Sequence, residues 1–286
     1  MKIPKRLQPL VDDGLIDEVL FQLMSGKEAQ VYVVRCGDEL RAAKIYKEAN
    51  KRSFRQAVQY QEGRSVRNTR RARAMAKGTR FGQQQQEEAW LNAEVEALYR
   101  LAAAGVRVPQ PHGFVEGVLL MDLILDEEGD PAPRLDDLAF DPETARDFHA
   151  RLMREVVRML CAGLVHGDLS EFNVLVDAEG PVIIDLPQAV NAASNNSAKS
   201  MLLRDVNNMT QYLGQYDSSL LLTHYGEEIW DLYERGNLHP EVKLTGHYAQ
   251  ADVEADIATI MRLIEDAKQE EEERKARERA AQDGEF

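Results

Sequence analysis

Asp168, Asn173 and Asp185 stand within eighteen residues of each other in this chain. Transfer of a phosphoryl group from a nucleoside triphosphate requires such residues: one carboxylate orients the acceptor hydroxyl, and oxygen ligands hold Mg²⁺ against the phosphates. The order Asp, Asn, Asp therefore predicts a phosphoryl-transfer site, with Asp168 as the catalytic carboxylate and Asn173 and Asp185 as the metal ligands. The run from His166 to Asn173 is the expected catalytic loop.

The same residues also have an interpretation without chemistry. Asp and Asn are common in turns and helix caps. The segment from Asp177 to Gly180 has the composition of a hairpin turn, between the strands predicted at 174–176 and 182–184. A loop, a hairpin and an acid at a strand end therefore need support from the rest of the chain before a site is assigned.

Two strand-like runs upstream flank a loop that contains Ser25, Gly26 and Lys27. When the loop is aligned with the glycine-rich phosphate loop of kinases so that it ends at Val31, only Gly26 matches, and this signal alone is weak. The next strand-like run, residues 40–46, strengthens the prediction that this loop binds phosphate. Side chains alternate along a strand, so Ala42 and Lys44 share a face. That spacing puts a methyl group against an adenine and an ammonium group against phosphates.

A helix predicted over residues 87–101 supplies a partner for the lysine, because its apolar positions recur at helical spacing. Glu94 lies one turn from Trp90 and one turn from Leu98, so its carboxylate points with the buried face. Burying a carboxylate without a partner is costly. The sequence therefore predicts an ion pair between Lys44 and Glu94.

Taken together, these motifs resemble the RIO family of atypical serine/threonine protein kinases, most closely its first branch, in a bacterial form. The resemblance covers about residue 20 to about residue 212 and rests on several runs: Ser25 to Tyr32, Ile45 to Lys47, Tyr60 to Arg64, the Trp90 helix, Val108 to Pro111, His166 to Asn173 and Ile183 to Asp185. It implies an α+β, two-lobed fold of the protein-kinase type. The fold is expected to be trimmed, without an activation segment or peptide platform, because Leu186 and Pro187 follow Asp185 and no Ala-Pro-Glu run precedes the next predicted helix.

The resemblance also implies roles for individual residues. Lys44 would bind phosphate, Glu94 would pair with it, Asp168 would be the catalytic aspartate, and Asn173 and Asp185 would bind the metal. Further nucleotide contacts would come from residues of the phosphate loop, the adenine pocket and the hinge between the lobes: Ser25, Gly26, Lys27, Val31, Ala42, Met121, Asp122 and Ile124. The implied cofactors are ATP and Mg²⁺, with Mn²⁺ as an alternative.

The composition agrees with one catalytic unit of two lobes, since 286 residues with 44% apolar content can bury a large core. We expect an N-terminal lobe over residues 1–121 and a C-terminal lobe over 122–265, followed by a charged tail over 266–286 that is disordered or a frayed helix. In the second lobe, Asp141 and Pro142 begin a predicted helix, and residues 211–234 also have a helical pattern.

Two distant cysteines indicate a cytoplasmic protein, because the chain shows neither metal-ligand spacing nor a secretory signal. Its apolar runs are shorter than a membrane span, and no membrane partner is expected.

Charge is unevenly distributed along the chain. Its formal net charge is −14, yet residues 51–80 contain ten Lys or Arg and a single Glu. We interpret residues 51–86 as a basic, flexible loop inserted in the first lobe. The part over residues 64–80 could bind RNA or a ribosomal particle through phosphate contacts. The alternative is a solvated loop that folds back onto the protein's own acidic surface, and charge clustering alone does not decide between the two.

The sequence supports an ATP-dependent Ser/Thr kinase that autophosphorylates slowly, with ATP hydrolysis as a competing or dominant outcome. Two alternatives remain. One is an ATPase-gated factor that binds RNA or ribonucleoprotein. The other is a small-molecule kinase, because His-Gly-Asp in place of His-Arg-Asp also resembles the aminoglycoside and choline kinase group; the loop from Ser25 to Tyr32 argues against it. The protein acceptor cannot be named from the sequence.

Overall fold

The computed structural model describes residues 3–26, 29–47 and 93–248. By its internal contacts the chain divides into two units, Met1–Gly246 and His247–Phe286, and every element named below belongs to the first. The predictions made for Lys27, for the basic loop at 51–86, for Trp90 and for the charged tail concern residues outside the described part.

The first lobe consists of a short helix, an antiparallel sheet and one longer helix. The elements are α1 (Gln8–Asp12), β1 (Glu18–Ser25), β2 (Ala29–Cys36), β3 (Glu39–Tyr46), β4 (Pro111–Val115) and β5 (Val118–Asp122). The strands lie in the order β1-β2-β3-β5-β4. Between β3 and β4 in the chain comes helix α2, described over residues 93–103.

The two faces of this sheet have different neighbours. Residues opposite each other in antiparallel strands point to the same side, and the register puts Val31 opposite Lys44 and Ala42 opposite Met121. The other face packs on α1 through buried apolar side chains: Leu7, Leu10, Tyr32, Val34, Ala43, Ile45, Val118 and Leu120. Because α1 covers that side, the Lys44 side faces the rest of the protein.

The second lobe is mostly helical. Helix α3 (Pro142–Cys161) begins at Asp141, whose side chain accepts hydrogen bonds from the N–H groups of Glu143 and Thr144, as the Asp-Pro pair predicted. Two short antiparallel strand pairs follow: β6 (Leu164–Val165) with β9 (Val190–Asn191), and β7 (Val174–Asp177) with β8 (Gly180–Ile183). Helices α4 (Ala198–Leu213) and α5 (Tyr225–Glu234) then pack on α3 and on each other.

The structure confirms the α+β organisation and differs from the sequence-based predictions at two places. Strand β8 ends before residue 184, because the next segment turns at Asp185, which has a φ of +65°. The helical pattern over 211–234 is not a single helix. Gly214 ends α4, and Asp217 accepts a hydrogen bond from the Ser219 N–H to begin a separate 3-10 turn before α5. No helix in the described ranges combines the length and apolar character that a membrane span needs.

Candidate active site

Lys44 joins three separate segments of the chain. Its Nζ atom donates hydrogen bonds to Glu94 Oε1 at 2.6 Å and to Asp185 Oδ1 at 2.8 Å. Lys44 is on β3, Glu94 is on α2, and Asp185 follows β8. The ion pair that the sequence predicted between Lys44 and Glu94 is therefore present, and the carboxylate of Asp185 joins it.

Burial and charge oppose each other in this cluster. Burial disfavours a charged Lys44, but the two carboxylates hold the pKa of Lys44 well above its ordinary value. Burial raises the pKa of Glu94, and the positive charge of Lys44 limits that rise. Asp185 is only partly buried; this partial burial disfavours its ionised form, yet Lys44 holds the pKa of Asp185 below its ordinary range. Lys44 and Asp185 are thus charged at neutral pH.

His166 stabilises the loop that carries Asp168. The Nδ1 atom of His166 accepts a hydrogen bond from the Asp168 N–H at 3.3 Å, and Nε2 lies 3.1 Å from the Ile184 carbonyl oxygen. A carbonyl oxygen only accepts, so Nε2 carries the proton and the ring is neutral. Burial lowers the pKa of His166, which agrees with this state. Gly167, between the two residues, has a φ of +81°, a conformation that glycine adopts without strain.

Helix α4 holds the same loop through Arg204, Asp205 and Asn208, which the sequence motifs did not reveal. Asp205 accepts hydrogen bonds from the N–H groups of Gly167 at 2.7 Å and Leu169 at 3.1 Å. Arg204 donates to the Gly167 carbonyl, and Asn208 donates to the Leu169 carbonyl at 3.0 Å. Four backbone groups on either side of Asp168 are thereby fixed by one helix.

A signal for Asp205 was present in the sequence. The residue lies on the apolar face of α4, among Met201, Leu202 and Val206, just as Glu94 lies on the apolar face of α2. An acid on such a face requires a partner. Burial raises the pKa of Asp205 to about 7, although the two N–H donors oppose this rise.

The residues predicted to bind the metal supply suitable oxygen atoms. Asn173 donates through Nδ2 to the Asp168 carbonyl at 2.8 Å, so its Oδ1 atom is the one that could bind a metal. The side chain of Asp185 is 46% exposed, so its second oxygen is accessible. No group of three or more His, Cys, Asp and Glu in the described ranges could hold a metal ion alone. A carboxylate and an amide oxygen, completed by phosphate and water, suit Mg²⁺ or Mn²⁺, and these residues fit such an ion.

The residues predicted to line the adenine pocket share one face of the sheet. Val31, Ala42 and Met121 lie on the same side as Lys44, and Val31 and Ala42 are buried. The structure therefore brings them together, while their contact with a purine stays a prediction.

Lys47 adds a contact to the phosphate loop that the sequence did not suggest. Its Nζ atom donates to the Gly26 carbonyl at 2.6 Å and to Ser25 Oγ at 3.2 Å. The Gly26 N–H also donates to the Ala29 carbonyl at 2.9 Å. The two ends of the loop are thereby fixed to each other and to the end of β3, on either side of Lys27, which lies outside the described part.

The predicted hinge uses part of its backbone for internal bonds. The Asp122 N–H donates to the Gln110 carbonyl at 2.9 Å, and the Ile124 carbonyl accepts from the Ala132 N–H at 2.9 Å. The Asp122 carbonyl and the Ile124 N–H are one acceptor and one donor, which together are the complement of an adenine edge. The Asp122 carboxylate lies 2.6 Å from Nε2 of His112.

Comparisons with known proteins agree on one family. A family model described as the RIO domain matches residues 30–224. The RIO-type serine/threonine-protein kinase Rio1 of Haloferax volcanii is 36% identical over 205 residues, which is 71% of this chain and 66% of the relative. The protein of the same name from Methanocaldococcus jannaschii is 33% identical over 190 residues, 66% of this chain and 60% of the relative.

A human relative extends the comparison. Serine/threonine-protein kinase RIO1 of Homo sapiens is 30% identical over 210 residues, which is 73% of this chain and 35% of that protein. The matches thus span between 35% and 66% of the length of these three relatives.

Proposed function

We propose that this chain, because it belongs to the RIO domain family, binds ATP with a divalent metal and transfers the γ-phosphate to the hydroxyl group of Ser or Thr. The observation that carries the proposal is the bonding of one ammonium group, that of Lys44, to the carboxylates of Glu94 and Asp185. The names of the relatives, which are serine/threonine-protein kinases, favour this activity over a small-molecule kinase.

Each charged residue has a role in the proposed transfer. Lys44 has three N–H donors and uses two for carboxylates, so the third is left for a phosphate oxygen. Asn173 and Asp185 would hold Mg²⁺, which would supply positive charge to neutralise the phosphates during transfer. Asp168 would accept the hydrogen bond of the acceptor hydroxyl and take its proton as the oxygen bonds to the γ-phosphorus, while the bond from that phosphorus to the bridging oxygen breaks and its electron pair leaves on ADP. Burial raises the pKa of Asp168, which makes its carboxylate a better proton acceptor.

The remaining nucleotide contacts follow from the sheet and the hinge. We assign the adenine to the side of the sheet that carries Val31, Ala42 and Met121, with the backbone of Asp122 and Ile124 at its edge. Ser25, Gly26 and Lys27 line the phosphates.

The acceptor side of the proposed site is small. Only residues 186–197 separate Asp185 from α4, which leaves little surface on which to order a peptide. Because ordering the acceptor is a large part of phosphoryl-transfer catalysis, we expect slow autophosphorylation, weak activity on generic peptides and competing ATP hydrolysis.

Two isosteric variants test the proposed site. Asp185→Asn removes a charged metal ligand, so metal-dependent ATP affinity should fall about tenfold or more. Asp168→Asn should keep ATP affinity within about twofold but lower turnover at least about a hundredfold, as expected for loss of a general base. Isothermal titration and a phosphate-release assay measure the two effects.

Asp38→Asn is the matched control, because Asp38 is exposed in the turn between β2 and β3. Parent-like turnover in the Asp168→Asn, Asp185→Asn double variant would refute the assignment of the site.

A second interaction is proposed for the basic segment. Residues 51–80, with ten Lys or Arg and one Glu on a chain of net charge −14, would bind RNA or a ribosomal particle through phosphate contacts. ATP turnover at the proposed nucleotide site would then act on the bound RNA or ribosomal particle. We assign the protein to the cytoplasm, where its two free cysteines, Cys36 and Cys161, would stay reduced.

A further inference from the structure

Gln188 contacts the proposed catalytic carboxylate, and the phosphoryl transfer proposed for the site leaves it without a role. Its Nε2 atom donates a hydrogen bond to Asp168 Oδ2 at 3.0 Å. An ionised carboxylate only accepts, so the amide nitrogen must face Asp168 and the amide oxygen, Oε1, points elsewhere. Within the described ranges, no residue forms a hydrogen bond with that oxygen.

The backbone fixes the relative position of these two side chains. A turn over residues 186–189, closed by a backbone hydrogen bond of 3.1 Å, carries Gln188. Val190 then pairs with Val165 in the short ladder of β9 and β6. Asp168 follows Val165 by three residues and Gln188 precedes Val190 by two. One strand pair therefore anchors both residues, and their contact does not depend on a long flexible loop.

Asp168 and Gln188 together present two acceptors to a nucleophile: the carboxylate and the amide oxygen. A water molecule has two O–H groups and can donate to both acceptors, whereas the hydroxyl of Ser or Thr has only one. Two hydrogen bonds hold the attacking oxygen in a more defined orientation than one. Because orientation of the nucleophile contributes much of the catalysis of phosphoryl transfer, this pair favours water over an alcohol.

We propose that Gln188 and Asp168 orient a water molecule for attack on the terminal phosphate of ATP, an inference that rests on the proposed function. The water oxygen bonds to the γ-phosphorus, and the bond from that phosphorus to the bridging oxygen breaks, with its electron pair leaving on ADP. One water proton passes to Asp168 and then to solvent. The products are ADP and inorganic phosphate, so Gln188 sets the share of ATP that is hydrolysed.

The exposure of the two residues agrees with this role. Asp168 is exposed and Gln188 is partly exposed, so water reaches both. Partial burial raises the pKa of Asp168, the positive charge of Arg204 opposes this rise, and Asp185 adds a smaller increase. A carboxylate with a raised pKa accepts a proton from water more readily.

Gln188→Met tests the inference, because methionine has a similar length but no hydrogen-bonding amide. Three quantities are measured on the full chain: the affinity for ATP with Mg²⁺, the rate of phosphate release, and the phosphate incorporated into the protein. Phosphate release should fall about tenfold, incorporation should fall less than about threefold, and ATP affinity should stay within about twofold. Gln211→Met is the control, since Gln211 is exposed on α4, and it should change none of the three.

The variant Gln188→Glu tests whether Gln188 orients a water molecule or only supports the side chain of Asp168. This side chain keeps an acceptor oxygen but cannot donate to Asp168, and it brings a second carboxylate next to it. Like charges raise each other's pKa values, so the pH profile of phosphate release should shift to higher pH.

Several results would overturn the inference. Equal losses of phosphate release and incorporation in Gln188→Met would mean that Gln188 only supports Asp168. Unchanged phosphate release, or an unshifted pH profile in Gln188→Glu, would also refute it. A parent protein that binds ATP and phosphorylates itself without releasing phosphate would refute the role of Gln188 alone. A parent that fails to bind ATP would refute the proposed function, and the inference with it.

Discussion

Lys44 illustrates what residue types and spacing can predict. Its pairing with Glu94 followed from two local arguments, a strand face that carries Lys44 and a helix face that buries Glu94, and the structure contains the 2.6 Å contact. The contacts of Lys47 with Ser25 and of Gln188 with Asp168 were not predicted. Both depend on a lysine or glutamine in an irregular segment, where no periodicity indicates the direction of a side chain.

Glu94→Gln tests how far the cluster depends on its buried carboxylate. The change removes one negative charge from Lys44 but leaves Asp185 as its partner, so we expect a loss of about 1 to 3 kcal/mol in the free energy of unfolding, less than for a buried charge left unpaired. Lys44 would then hold Asp185 more tightly and weaken its metal contact, lowering ATP affinity about tenfold. Urea unfolding and isothermal titration measure the two effects.

Glu96→Gln controls for this change, because Glu96 is exposed on the same helix. If both variants kept the parent's ATP affinity, the Lys44 cluster would have no part in nucleotide binding.

At the scale of elements, a helix with a clear N-cap and a clear apolar face could be predicted from the sequence. The segments that such a helix contacts could not. Asp141 and Pro142 indicated where α3 begins, because Asp is a preferred N-cap residue and Pro is favoured in the first turn of a helix. The role of α4 in holding the loop that carries Asp168 depends on contacts such as that of Asp205 with Gly167, 38 residues apart in the chain. Local patterns do not encode which loop a helix face will meet, so this part of the site required the tertiary structure.

Asp205→Asn tests whether α4 positions the catalytic loop. An asparagine oxygen can accept from only one of the two N–H groups, and its amide nitrogen faces the other donor. We expect turnover to fall at least about tenfold with ATP affinity within about twofold, and stability to fall by about 1 to 3 kcal/mol. Asp147→Asn, on the exposed side of α3, is the control. Parent-like turnover in Asp205→Asn would show that the loop keeps its position without this contact.

The packing of α3 on α4 and α5 predicts a loss of stability in acid. His149 of α3 is buried, its Nε2 atom is 2.8 Å from the Thr210 hydroxyl, and its ring contacts that of Tyr225. Burial lowers the pKa of His149 from 6.5 to about 4. The unfolded chain therefore binds a proton that the folded protein excludes between these pH values, and the free energy of unfolding should fall by about 2 kcal/mol from pH 7 to pH 5.

Urea unfolding at several pH values measures this slope. His149→Gln keeps a group that can bond Thr210 but does not titrate, so its slope should be smaller than that of the parent. His224→Gln, which removes an exposed histidine before α5, is the control. Equal slopes in parent and His149→Gln would contradict the assignment to His149.

At the scale of the whole molecule, the basic segment predicts an RNA affinity that is separable from the nucleotide site. Each phosphate contact releases counterions, so the logarithm of the affinity should fall with the logarithm of the salt concentration by roughly 0.7 per contact on single strands. Replacing Arg67, Arg70, Arg71 and Arg73 with Ser should reduce both the affinity and this slope and leave ATP binding unchanged. Fluorescence anisotropy at several salt concentrations measures the effect.

The chain offers a control of equal charge. Replacing Arg274, Lys275, Arg277 and Arg279 with Ser removes the same four positive charges from another region. An equal loss of RNA affinity in both variants would assign binding to net charge and not to the segment at 64–80.

The bond between Lys44 and Asp185 also has a consequence for synthesis of the protein. These residues are 141 positions apart, and a ribosome that adds about 5 to 20 residues per second needs on the order of ten seconds to pass from one to the other. During that interval the nascent chain has Lys44 without its second carboxylate, so the proposed ATP site is incomplete and ATP would not yet stabilise the chain by binding. We expect the early folding of the sheet to rely on α1 and its core residues Leu7 and Leu10, which emerge before Lys44.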